Sequence, residues 1–175
     1  MNSSLLIFAC VLTLSGCKIV DVSEFVHPAT HSIREGLAWG SPSPKLRSGT
    51  EIGDAPLLVP DFTKFWPGYS PTGFLYVCSR SSKEIEVESV VLFSPDTGEK
   101  KELAVKRVLT PKPISDDVWL ARDRIVEHGA VRMDEFVHAK VLVVVVHWRV
   151  VGTSGTQESR FEFELRIRKD VAWPT

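Results

Sequence analysis

Histidines, adjacent carboxylates and clustered aromatics are the residue types here that could do chemistry, and their spacing decides which chemistry. His27-Pro-Ala-Thr-His31 has metal-like spacing, but no cysteine or acidic cluster stands beside it, so neither a metal nor another cofactor is implied. His138 and His147 lie nine apart in one apolar run. An odd separation on a strand sends them to opposite faces, where they cannot share a metal. His128 reads as an ordinary residue near a helix end, where a cation suits the helix dipole. Asp116-Asp117 and Asp134-Glu135 are the carboxylate pairs that a glycosidase reading would use. Adjacent acids are commoner at helix starts and loop edges, and such an enzyme must hold two carboxyls across a cleft. The patterns HExxH, CxxC, GxSxG and GxxxxGKS/T do not occur, and Gly152-Thr-Ser-Gly155 reads as a hairpin turn rather than a serine elbow. No catalytic residue is assigned, and a non-enzymatic role is expected.

Aromatic residues carry the clearest binding signal. Phe62, Phe65, Trp66, Tyr69, Phe74 and Tyr76 place six of the 16 aromatics within fifteen residues, interleaved with Pro67, Gly68, Pro71 and Gly73. Such residues can pack an irregular segment onto the domain. They can also form a partner surface, because aromatics on a Pro/Gly-stiffened loop supply interface anchors. Phe65, Trp66 and Tyr69 are the candidate binding residues, since Phe74 and Tyr76 enter the strand that follows. The partner expected is a protein. With 21 basic against 22 acidic side chains, the chain has no basic field, which argues against nucleic acid.

The N-terminus determines the expected location. Residues 5–14, Leu-Leu-Ile-Phe-Ala-Cys-Val-Leu-Thr-Leu, are continuously apolar. Ten helical residues span about 15 Å, half a hydrocarbon core, which is the size of a signal-peptide apolar region and too short for a membrane span. Leu14-Ser15-Gly16-Cys17 follows, and it resembles the lipobox of bacterial lipoproteins over roughly the first eighteen residues. The resemblance implies cleavage between Gly16 and Cys17, a diacylglyceryl group on the Cys17 thiol, and acylation of the new amine. It also implies an outer-membrane, periplasm-facing anchor, because Lys18 stands where an Asp would retain such proteins at the inner membrane. The acyl chains on Cys17 then make the membrane itself a partner. Cys10 would leave with the leader, so Cys78 would be a lone thiol, buried as a small hydrophobe in Gly73-Phe-Leu-Tyr-Val-Cys-Ser79.

The elements that must position these residues fall into a loose front and a strand-rich back. Seven of the 11 Pro and six of the 11 Gly lie between Lys18 and Gly73, denying that stretch long helices and central strands. Three parts are therefore expected: a signal peptide over 1–16, the lipidated Cys17 with an irregular tether over 17–49, and one β-rich domain over 50–175. Leu57, Leu58 and Val59 predict a short strand between Pro56 and Pro60. After Gly73 the apolar period becomes two. Ile85 and Val87 alternate with glutamates, then Val90 to Phe93 run apolar into Ser94-Pro-Asp-Thr-Gly98, a hairpin turn. The return strand, about Glu99 to Leu109, would set Glu86 near Lys106. Val137–Val151 predicts a central strand covered on both faces. Phe161, Phe163, Leu165 and Ile167 predict one buried face of the last strand, opposite Glu162, Glu164, Arg166 and Arg168. Ser115-Asp-Asp117 with Gly129 reads as the two ends of a helix, although Val118, Leu120 and Arg122 also fit a strand. The fold class expected is mainly β: an antiparallel β-sandwich, Ig-like in general architecture, with at most one short helix.

Overall fold

The computed structural model describes residues 18–27, 33–34, 45–46, 51–53, 55–62, 72–132, 135–136 and 138–172. Eleven strands run in chain order: β1 Lys18–Val26, β2 Ile33–Arg34, β3 Lys45–Leu46, β4 Leu57–Phe62, β5 Gly73–Ser79, β6 Ile85–Phe93, β7 Lys100–Leu109, β8 Lys112–Ser115, β9 Val118–Val126, β10 Val141–Val150 and β11 Gln157–Ala172. One sheet has the order β1-β11-β10-β6-β7, a second has β4-β5-β9-β8, and β2 pairs with β3. Every pairing is antiparallel. Leu75, Val77, Ala121 and Ile125 from the smaller sheet share one core with Val87, Val90, Leu142, Val144, Val146 and Phe163 from the larger. The fold is thus the antiparallel β-sandwich that the two-residue periodicity predicts.

Local chemistry explains the connections. Ser94 accepts from the Gly98 N–H at 2.8 Å, and its own N–H donates to the Glu99 carbonyl at 2.9 Å, closing the β6–β7 hairpin. Gly98 sits at φ 76° and Gly152 at φ 84°, the left-handed region where a Cβ would strain the turn. Asp96 ties the first turn to the neighbouring strand, accepting from the backbone N–H of Lys140 at 2.8 Å and of Val141 at 3.3 Å. Those bonds, with the Ser94 hydroxyl, hold the Asp96 carboxyl below its ordinary range, the Lys140 N–H contributing most. β10 lies between β11 and β6, and Val143, Val144 and Val146 are fully buried, as a central strand covered on both faces requires.

Five expectations need correction. Residues 115–128 form no helix: Asp116 and Asp117 make the turn of a β8–β9 hairpin, and β9 is paired on both sides. Ser and Asp before an apolar run serve a β-turn as well as a helix cap, and pairing with β5 and β8 satisfies the β9 backbone. Glu86 faces Val108, not Lys106: the turn sets Phe93 opposite Lys100, a register that would bring Glu86 to Arg107, and a shift between Val87 and Ser89 moves it one residue further. Lys106 lies at that irregularity with φ 47°, and Glu86 instead receives Arg149 at 2.6 Å. The long central strand starts at Val141, so His138 lies outside it and does not share a strand with His147. β4 continues through Pro60 to Phe62, which an edge strand tolerates. Finally, Lys18–Val26 does not act as tether: all nine residues pair with β11.

Candidate functional site

Among the described residues, chemistry concentrates where the smaller sheet meets the β7 edge of the larger one. β5 and β9 place Phe74 opposite Arg124 and Tyr76 opposite Arg122 on one face. That face is largely apolar, with Ile52, Val59, Tyr76, Cys78 and Leu120 buried together and Phe74 packed against them. The Arg122 guanidinium therefore finds aromatic rings beside it. Its central carbon stands 4.1 Å from the Phe74 ring centre and 5.4 Å from that of Tyr76. Arg124 approaches the same Phe74 ring at 5.4 Å. Stacking of this kind orients a guanidinium while leaving its N–H edge free to donate.

Acids from β9 and its following turn hold the remaining cations. Arg107, projecting from β7 one residue past Lys106, donates to Asp123 Oδ1 at 3.1 Å and also to Glu127. Glu127 takes a second cation, Arg124 Nη1, at 3.2 Å. Asp123 also accepts from the Arg124 backbone N–H at 2.7 Å, which fixes its carboxylate. These side chains line an open groove of about 260 Å³ formed by Phe74, Arg107, Arg122, Asp123, Arg124 and Glu127. Three guanidinium groups face two carboxylates there. Two of the cations are paired, whereas Arg122 has no ion pair among the described residues. The buried Nε of Arg124 has no hydrogen-bond partner. The arrangement can accept one further anionic oxygen group, held in the plane of a pre-oriented fork.

A second constellation has the residue types of a hydrolase. Ser89 on β6, His147 on β10 and Glu158 on β11 stand in one cross-strand row. Ser89 Oγ lies 2.9 Å from His147 Nδ1, and His147 Nε2 lies 3.6 Å from Glu158. Ser89 is paired with His147, and His147 with Glu158, whereas Glu88 beside them is skipped by the ladders on both sides of β6. The row links three strands beside the register shift at His147/Trp148, where Trp148 Nε1 also donates to Ser159 Oγ at 2.9 Å.

The candidates singled out from sequence distribute unevenly. Gly16, Cys17, Phe65, Trp66 and Tyr69 lie outside the described residues, as do His31 and Asp134. His27 packs edge-on to Phe161, with ring centres 5.5 Å apart, and tilted against Phe163 at 5.2 Å. Glu135 receives Lys101 at 2.7 Å, so it serves an ion pair between loop and β7. Asp116 and Asp117 are exposed in their turn. Cys78 is a free thiol with no exposed surface, and burial pushes it up to about 11. Sequence reading missed Arg107, Arg122, Asp123, Arg124 and Glu127, and the one available signal was alternation of charge through Arg122-Asp-Arg124 next to an aromatic strand. No family model matches the chain, and neither a curated protein nor a solved structure is significantly similar to it.

Proposed function

We propose that this chain is a periplasm-facing lipoprotein of the outer membrane whose β-sandwich is a non-enzymatic protein-binding module, and that its use is immunity: holding an inhibitor at the membrane against an antibacterial effector entering the envelope. The observation that carries the binding reading is the Arg122 guanidinium, without an ion pair among the described residues and held on Phe74 and Tyr76 beside a groove whose other cations are already paired. A partner carboxylate seated there gains a forked, charge-assisted contact on a ring-backed, pre-oriented donor. Leu14-Ser15-Gly16-Cys17 supports the anchor, and Phe65, Trp66 and Tyr69 belong to the same aromatic cluster as Phe74 and Tyr76.

β1 is an edge strand of the large sheet among the described residues, which favours a second reading, an envelope-assembly factor that recruits a partner by strand addition. The two separate on one experiment with the product of an adjacent toxin-like gene. Immunity requires that deleting this chain sensitises the cell to that effector. It also requires that Arg122→Ala weakens the complex by about 2 kcal/mol, roughly thirtyfold in Kd, with Arg122→Lys recovering only part. A deletion strain that stays resistant ends the immunity reading, and an Arg122→Ala variant with unaltered affinity removes the groove from it.

A further inference from the structure

β11 is sixteen residues long, but its two halves have different neighbours. β10 pairs with it only from Gln157 to Glu164, whereas β1 pairs with it from Glu164 to Ala172. Beyond Glu164 the large sheet therefore narrows to a two-stranded ribbon of about eight residue pairs, roughly 26 Å long. A two-stranded ribbon is marginal in water unless a face is covered. By register, Ile19 on β1 and Ile167 on β11 share one face, since position 23 is paired with Ile167 and successive residues alternate. This face continues the one that buries Phe163 inside the sandwich. It runs out from beneath the smaller sheet, and Ile19 and Ile167, at 72% and 68% exposure, are the two most exposed large apolar side chains among the described residues.

The ribbon also has a covalent neighbour. β1 begins at Lys18, so the Cα of Cys17 is one peptide, about 3.8 Å, from its first residue. We propose that the β1–β11 ribbon lies on the lipid surface, with Ile19 and Ile167 seated at the boundary between headgroups and acyl chains. The inference rests on the lipoprotein reading above: acyl chains on Cys17 bring a bilayer to this end of the ribbon and leave no linker between lipid and sheet. Asp21 and Lys169 stand directly opposite each other between the two isoleucines, which keeps the ribbon at interfacial depth, about 5–10 Å, rather than in the hydrocarbon. The consequence is a domain held at a set orientation to the membrane instead of swinging on a tether.

The test uses the full-length acylated protein in vesicles of phosphatidylethanolamine and phosphatidylglycerol. Ile19→Cys and Ile167→Cys each add one reactive thiol, because Cys17 is acylated and Cys78 is buried. Each is labelled with an environment-sensitive fluorophore. Val108→Cys on the opposite edge strand, 49% exposed, is the control. Probes at 19 and 167 should shift to the blue and be quenched by nitroxides on lipid chains, while the probe at 108 should be quenched only by a water-soluble reagent. A protein that floats with the vesicles and carries the acyl mass on Cys17, yet gives the control response at 167, overturns the ribbon contact alone. If Cys17 carries no acyl mass and the protein does not float, the lipoprotein reading falls and the ribbon contact with it. A blue shift of the same size in the unacylated chain without lipid means that a second copy covers the face, which also overturns the proposal.

Discussion

Phe163 and Ile167 lie four residues apart on one face of β11, and replacing each by alanine should give opposite results. Phe163 has no exposed surface and contacts both the shared core and the His27 ring, whereas Ile167 is 68% exposed. A phenylalanine buries about 150–250 Å², which at about 25 cal/mol per Å² sets an upper value of about 4–6 kcal/mol. Deletion of a buried phenylalanine in other cores costs about 3–5 kcal/mol, in agreement. Phe163→Ala should therefore remove a large part of a net stability of about 5–15 kcal/mol. With a urea slope near 2 kcal/mol per M, the midpoint should fall by about 2 M, and Tm by about 6–20 °C. Ile167→Ala should stay within about 0.5 kcal/mol, because most of that side chain is already in water. The measurement is urea unfolding of the unacylated chain from Lys18, followed by tryptophan fluorescence. Equal midpoint losses at the two positions would refute the reasoning, since they would mean that the core continues over the ribbon.

Two further outcomes follow from the buried groups. Cys78 should not react with a thiol reagent in the native chain at neutral pH and should react fully once unfolded, because its sulfur is inaccessible and burial disfavours the thiolate; stoichiometric native labelling would contradict this. Burial also lowers the His27 pKa, so the folded chain binds a proton there less readily than the unfolded chain. Stability is then lost as pH falls from about 6.5 toward the depressed folded value, and His27→Gln should flatten the dependence of the urea midpoint between those limits. An unchanged slope in the variant would assign the dependence to other groups.

Much of the fold was legible because its signals are local. Gly98 and Gly152 mark the two hairpin turns through their backbone freedom, and the alternation in β6 and β11 identifies strands from neighbouring residues alone. The helix expected over 115–128 failed for a related reason. Ser115-Asp-Asp117 satisfies a β-turn as readily as a helix start, and only the presence of β5 alongside β9 chose between them. The Arg/Asp/Glu groove was less legible. Arg122 and Arg124 belong to β9, Phe74 to β5 and Arg107 to β7, and their meeting depends on two register irregularities, at Gly73/Phe74 and Val87/Ser89, that no local pattern encodes.

By itself the sequence determined the β class and the hairpin turns, both set by residues within a few positions of one another, and it carries the near-neutral charge and the lipobox-like Leu14-Ser15-Gly16-Cys17 tetrad. Tertiary structure decided which faces are covered. Alternation tells which side chains share a face of β11, but only the extent of the smaller sheet and of β10 makes Phe163 core and leaves Ile167 in the open. Pairing across more than a hundred residues likewise turned Lys18–Val26 into a sheet strand, because an edge of β11 was there to take up its backbone hydrogen bonds.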